Sequence, residues 1–182
     1  MRLPRRARAT LVLGGARSGK SRHAEQLLAG VPAVDYLACG SPPTADDPEW
    51  AARIELHRSR RPASWRTLET VDLVPVLAGS GPPVLLDCLT TWLARVMDDV
   101  GVWTDAPGAD RRLADTVDAT VRAWTTGRRR VVAVSNEIGS GVVPATASGR
   151  RFRDELGVLN ARFAATADRV LLVTAGLPQR LR

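Results

Sequence analysis

Apolar positions along this chain fall into two kinds of run. Some are short and continuous, bounded by glycine, proline or charge, and they predict buried strands. These lie at Leu11-Val12-Leu13, at residues 33–39, at Val84-Leu85-Leu86 within 83–87, at 130–135 and at 170–174; a shorter strand is predicted over 64–69. The others recur with helical spacing. Leu113, Val117, Val121 and Trp124 share one helical face, as do Phe152, Leu156, Leu159 and Phe163. Further helices are predicted over 22–29, from Pro48 to about Arg61, over 71–78 and over 89–100. Asp46 or Asp47 can cap the second, where proline is tolerated in the first turn. Gly127 closes the helix that carries Trp124, and Pro107 and Gly108 break a loop over 101–110. Strands that are apolar throughout, alternating with helices, predict an α/β fold: a mainly parallel sheet covered on both faces, in three layers. No internal repeat or linker divides the chain, so residues 9–182 are expected to form one domain behind a disordered basic extension over 1–8.

The first of these strands runs into Gly14-Gly15-Ala16-Arg17-Ser18-Gly19-Lys20-Ser21, a G-x-x-x-x-G-K-S phosphate-binding loop opening a helix. Glycines let successive backbone N–H groups turn toward a phosphate, and the helix N-terminus adds unpaired donors and partial positive charge. Lys20 can reach the outer phosphates, and the Ser21 hydroxyl can ligate Mg2+. Lys20 is the only lysine in the chain; the other 25 basic residues are arginine. A compact, mobile point charge is thus kept where the loop needs one.

Composition bounds this picture more than it changes it. Apolar residues make up 45% and charged residues 25%, as in ordinary globular proteins. No apolar stretch approaches a membrane span, and Gly14-Gly15 and Arg17 interrupt the run after the basic start, which does not read as a signal peptide. Cys39 and Cys88 form no disulfide or metal pattern. A cytoplasmic location without stable membrane insertion is expected. Removing Arg2, Arg5, Arg6 and Arg8 from the net +7 leaves +3, unremarkable for a protein handling polyphosphates, and no nucleic-acid partner is expected.

Three further places carry candidate chemistry. Asp87, at the carboxyl end of an apolar strand, suits a second aspartate holding Mg2+; the same residue could instead cap the helix beginning near Leu89. His57 lies among Arg58, Arg60 and Arg61. A neutral imidazole there is a competent nucleophile toward phosphorus, although a histidine near a helix end is also an ordinary cap or surface residue. Asn136-Glu137, with Gly139-Ser140-Gly141 behind it, reads equally as a ligand-binding strand end or a plain turn.

Taken together, the loop, Arg53-Ile54 with His57 and Arg61-Pro62, Ser64 through Glu69, Leu85-Leu86-Asp87-Cys88-Leu89-Thr90, and Val134 through Gly139 followed by Val143-Pro144, Arg151-Phe152-Arg153-Asp154 and Asn160 resemble one family. It is the bifunctional adenosylcobinamide kinase/adenosylcobinamide-phosphate guanylyltransferase family of cobalamin biosynthesis, and the resemblance runs from about Ala9 to the C-terminus. It implies phosphorylation of adenosylcobinamide by ATP or GTP. Transfer of GMP from GTP follows, through a guanylyl-histidine on His57, giving adenosylcobinamide-GDP and pyrophosphate. It further implies nucleotide contacts at Gly14 to Ser21, at Ala38, Cys39 and Gly40, at Arg58, Ser59, Arg60 and Arg61, and at Glu69 and Asp87. A homotrimer is implied as well. A carboxylate such as Glu69 could accept from guanine N1 and its exocyclic amine. The start before Ala9 and the proline-rich segment from Ser41 to Glu49 depart from the family pattern. Two other readings compete: a one-step P-loop kinase for another small metabolite with His57 structural, and a regulatory nucleotide-binding switch or nucleic-acid-binding ATPase.

Overall fold

A computed structural model describes residues 7–41 and 46–182. Among these residues seven strands form one sheet: β1 (Ala9–Gly14), β2 (Asp35–Ala38), β3 (Arg66–Glu69), β4 (Val84–Asp87), β5 (Val131–Asn136), β6 (Arg169–Thr174) and β7 (Leu177–Arg180). Their order is β3-β2-β4-β5-β1-β6-β7, parallel throughout except for the β6–β7 hairpin. Among the described residues six α-helices and a short 3-10 turn (Val102–Thr104) complete the fold: α1 (Lys20–Leu27), α2 (Pro48–Ser59), α3 (Val74–Ala78), α4 (Leu89–Val100), α5 (Ala109–Thr126) and α6 (Ala147–Thr166).

The three-layer arrangement follows from strict alternation within apolar strands. Leu11, Leu13, Leu37, Val84, Leu86, Val131 and Ala133 face one side, where Trp92 and Met97 of α4, Trp124 of α5 and Phe163 of α6 fill the larger core. Val12, Tyr36, Leu85, Val132 and Val134 face the other, against Ala24 of α1, Leu28 and Trp65. The two most buried tryptophans satisfy their indole N–H groups on backbone carbonyls, Trp92 on Val71 (2.8 Å) and Trp124 on Phe163 (3.2 Å).

Helix α2 is different. It has no apolar stripe and leaves Leu56 exposed, so its ends hold it in place. Asp47 caps it by accepting from the Trp50 N–H (2.8 Å). The Trp50 ring lies against Gly40, at the carboxyl end of the sheet. This placement brings the far end of α2 over the strand tips.

Several boundaries differ from the sequence expectation. The third helix is a single turn over Val74–Ala78, not 71–78. Strand β7 was not expected at all: Leu177, Pro178, Gln179 and Arg180 are all exposed, and the strand exists because a turn through Ala175 and Gly176, both with positive φ, folds it back on β6. Residues 1–6 of the expected basic extension lie outside the described residues, as do residues 42–45. Arg8, which that extension was expected to include, belongs to the fold. Its backbone N–H donates to Asp168 (2.7 Å), and its guanidinium donates to the carbonyls of Trp124, Thr125 and Gly127 at the end of α5.

Asp35 is a buried charge that the sequence pattern conceals inside a strand. It pairs with Arg129 (2.5 Å), itself buried, and with Arg66 (2.9 Å). Burial alone would raise its carboxyl, but hydrogen bonds and positive charge from Arg66 and Arg129 outweigh this and hold its pKa below the usual 3.8. With a depressed folded-state pKa, the stabilisation is present above pH 3.8 and is lost as pH falls through the folded value. Asp35→Asn leaves Arg129 buried without its counter-charge, which costs about 3–5 kcal/mol. Urea unfolding at neutral pH measures the loss. A cost below about 1 kcal/mol, the level of a surface pair, would contradict this account.

Candidate active site

All candidate groups lie at the carboxyl edge of the parallel strands, the edge where open α/β sheets bind ligands. β1 ends at Gly14 and the loop wraps from there to Lys20. Gly14 has no room for a side chain: a Cβ would stand 2.5 Å from Ser18 Oγ and 2.6 Å from the Val173 carbonyl. Gly19 takes φ +92 immediately before α1, a left-handed turn that suits glycine. The loop is braced from two directions, by Glu137 N–H donating to the Gly14 carbonyl (3.1 Å) and Gly176 N–H donating to the Ser18 carbonyl (2.8 Å). Lys20 is buried, and its ammonium donates to the Gly15 carbonyl (3.1 Å). Ser18 Oγ is buried with no hydrogen-bond partner among the described residues, a donor left over inside the loop. Arg17 is exposed, as is its 4.0 Å ion-pair partner Glu49.

β5 lies between β1 and β4, so Asp87 stands two strands away from Gly14. The first turn of α1 closes this gap. Ser21 Oγ donates to Asp87 Oδ1 (3.3 Å), while Tyr36 Oη donates to Oδ2 (3.0 Å). His57 Nδ1 lies 3.3 Å from the same Oδ2. Burial would raise the Asp87 carboxyl, yet His57, with Tyr36 and Ser21, holds it below the usual carboxylate range. Asp87 does not cap α4: the capping position is Cys88, and no side chain caps that helix end. The peptide between Asp87 and Cys88 is cis.

The arginines of the second motif divide. Arg60 reaches Glu25 Oε1 and His57 Nδ1, both at 3.4 Å. The Arg61 guanidinium lies over the Tyr36 ring, 3.9 Å from its centroid, and donates to Thr67 Oγ1 (2.7 Å) and to the His57 carbonyl (3.0 Å). Arg58 is exposed, and Ser59 Oγ donates to the Leu56 carbonyl (3.1 Å). Ala38 lies beside Asp87 across the β2–β4 register and beside Glu69 across the β2–β3 register, so the three share one strand-end row. Glu69 is exposed at the sheet's edge, whereas Cys39 is fully buried, its thiol pushed up by burial and then by neighbouring negative charge. The Gly40 carbonyl accepts from Arg95 (3.3 Å).

Tyr36 and Glu25 were missed from sequence. Tyr36 sits in a strand whose apolar neighbours make it read as core, and Glu25 reads as the solvated face of a helix. Neither has a motif around it. Asn136-Glu137 proves to be structural in part: the Asn136 N–H donates to the buried Thr90 hydroxyl (2.8 Å), and the Asn136 carbonyl accepts from Asn160 (2.9 Å).

A parallel sheet with a phosphate loop after its first strand and an aspartate facing the loop serine defines a P-loop nucleotide-binding enzyme. The neighbouring histidine and arginines go beyond that class. The model of one family, cobinamide kinase / cobinamide phosphate guanyltransferase, matches residues 10–181, and this chain belongs to that family. It is 40% identical to the bifunctional adenosylcobalamin biosynthesis protein CobU of Salmonella typhimurium, covering 94% of this chain and 98% of that one. It is 43% identical to the CobP protein of Pseudomonas aeruginosa, covering 94% and 96%. Among solved structures, an ATPase of a bacterial type III secretion system matches 92% of this chain with a TM-score of 0.59 and 12% identity. This chain spans about half of that one (51%), and the likeness is one of fold.

Proposed function

We propose that this protein carries out both reactions of its family in one site, with His57 as the residue that becomes guanylylated. In the first reaction the hydroxyl oxygen of adenosylcobinamide attacks the γ-phosphorus of ATP or GTP, and the nucleoside diphosphate leaves. In the second, an imidazole nitrogen of His57 attacks the α-phosphorus of GTP. A P–N bond forms, the α–β P–O bond breaks and pyrophosphate leaves. An oxygen of adenosylcobinamide phosphate then displaces the histidine, giving adenosylcobinamide-GDP. The observation that carries this reading is the 3.3 Å approach of His57 to Asp87, which puts a nucleophile beside the loop serine.

The loop from Gly14 to Ser21 cradles the phosphates, with Lys20 as its point charge. Arg60 and Arg61 face the charge that develops on phosphorus, the electrostatic contribution that dominates phosphoryl transfer. Ser21 and Asp87 supply hard oxygen donors and fit Mg2+. Two protein oxygens leave the remaining positions of such an ion to nucleotide phosphates and water. When bound, Mg2+ neutralises phosphate charge. Glu69 and the backbone of Ala38 to Gly40 are assigned to the nucleotide, with Glu69 accepting from guanine; the exposed Arg58 and Ser59 complete the set. The working form is a cytoplasmic homotrimer. No described helix is long and apolar enough to cross a membrane.

Incubation with α-phosphate-labelled GTP and Mg2+, followed by denaturation, tests the reading. Label should remain on the protein, be released by acid and survive base. A folded protein that takes up no label, yet phosphorylates adenosylcobinamide, would be a one-step kinase.

A further inference from the structure

One ring nitrogen of His57 has two neighbours with opposite demands. Asp87 Oδ2, 3.3 Å from Nδ1, can only accept and therefore needs a proton on that nitrogen. Arg60, 3.4 Å from the same atom, can only donate and therefore needs its lone pair. The two neighbours thus select opposite tautomers of the neutral ring. With the proton on Nδ1, the lone pair at Nε2 is available to attack phosphorus. With the proton on Nε2, the remaining lone pair is occupied by a guanidinium.

The surroundings favour the first arrangement. The Asp87 carboxylate has its oxygens assigned to different partners, Oδ1 to Ser21 and Oδ2 to Tyr36 and His57. Tyr36 is 4% exposed, on the strand beside β4, and its hydroxyl donates to Oδ2 at 3.0 Å. That donation fixes the orientation of the carboxylate, turning Oδ2 toward His57 Nδ1. Arg61 lies across its ring. Arg60, by contrast, is shared with Glu25.

We infer that Tyr36 is a positioning residue which, through Asp87, keeps His57 in the Nδ1–H tautomer and makes Nε2 the guanylylated atom, while Glu25 restrains Arg60 from selecting the opposite form. The inference rests on the assignment of His57 as the nucleophile. As the P–N bond forms at Nε2 the ring acquires positive charge, and the carboxylate at Nδ1 is placed to stabilise it, the role of the buried aspartate in serine-hydrolase triads.

Ring-nitrogen NMR of the 15N-histidine-labelled free enzyme tests this, read at an alkaline pH where the ring-nitrogen shifts are those of neutral imidazole. The chain has two histidines, and His57→Gln assigns the signals. His57 should be predominantly Nδ1–H. Tyr36→Phe should move it toward Nε2–H and slow guanylylation about 10–100-fold, with the KM for GTP nearly unchanged. Arg60→Ala should not lower the Nδ1–H fraction, whereas general damage to the site would. Unchanged His23 signals in Tyr36→Phe verify the fold. In the guanylylated protein, phosphorus coupling should appear at Nε2. Coupling at Nδ1, an unaltered tautomer ratio in Tyr36→Phe, or a fall in Nδ1–H in Arg60→Ala would each overturn the inference. Failure of the wild type to guanylylate at all would overturn the assignment of His57, while the tautomer measurement on free enzyme would still decide the role of Tyr36.

Discussion

In His57→Ala, α-labelled GTP leaves no label on the denatured protein, and GMP transfer to adenosylcobinamide phosphate falls by about 10⁴-fold or more, as when a covalent nucleophile is deleted elsewhere. The chain offers no substitute. Its other histidine, His23, lies on α1, where burial and then the nearby charge of Arg169 lower its pKa. His23→Ala should therefore label normally. Phosphorylation of adenosylcobinamide continues in His57→Ala, because attack of a hydroxyl on the γ-phosphorus forms no enzyme-bound intermediate. Its rate falls no more than about tenfold, since Asp87 retains Ser21 and Tyr36. Labelling by α-labelled GTP and a phosphorylation assay on the same preparation separate the two reactions. Label persisting in His57→Ala would move the nucleophile elsewhere.

Lys20→Ala removes both reactions at once, each by about 10²–10³-fold or more, the cost of deleting one preorganised charge at a phosphoryl transition state. The ammonium is buried and folded back on the Gly15 carbonyl, so a phosphate entering the loop meets a charge already in position. Arginine is not expected to rescue it: a planar fork cannot take the place of a compact ammonium in this confined loop. Because Lys20 is the sole lysine, an amine-reactive reagent can modify only this side chain and the N-terminus. Bound GTP should protect Lys20 from modification, read by mass spectrometry. Retained phosphorylation in Lys20→Ala, or modification indifferent to GTP, would contradict the loop's role.

The parts of the site legible in the sequence were those carried by contiguous residues. The phosphate loop needs one strand, one turn and one helix start, all within a dozen positions. The contact between His57 and Asp87 spans thirty positions and depends on how α2, a helix without an apolar stripe, is anchored by Asp47 and Trp50. No periodicity reports that. Tyr36 and Asp35 were hidden for a related reason: within an apolar strand a polar side chain signals little until its partner is known, and Asp87 and Arg129 come from distant segments. The parallel sheet was legible because its strands are apolar throughout, whereas β7, exposed and containing Pro178, carries no strand pattern. Arg8 misled because a charge near a chain end usually marks solvent, while here it completes the hydrogen bonding of α5.

The bracing of the phosphate loop sets an order on how the molecule is made. β1 is made before both of its neighbours, yet it pairs with Val131–Asn136 on one side and Arg169–Thr174 on the other, and the turn at Gly176 steadies the loop. A nascent chain can therefore display the whole nucleotide motif, without a sheet to hold it, while the residues between β1 and β6 are made. Loop closure over such separations carries a large entropic cost until the partners arrive. Capacity to bind nucleotide is acquired only once β6 and the Gly176 turn have followed, and a product that stops short of β6 carries the motif without the site.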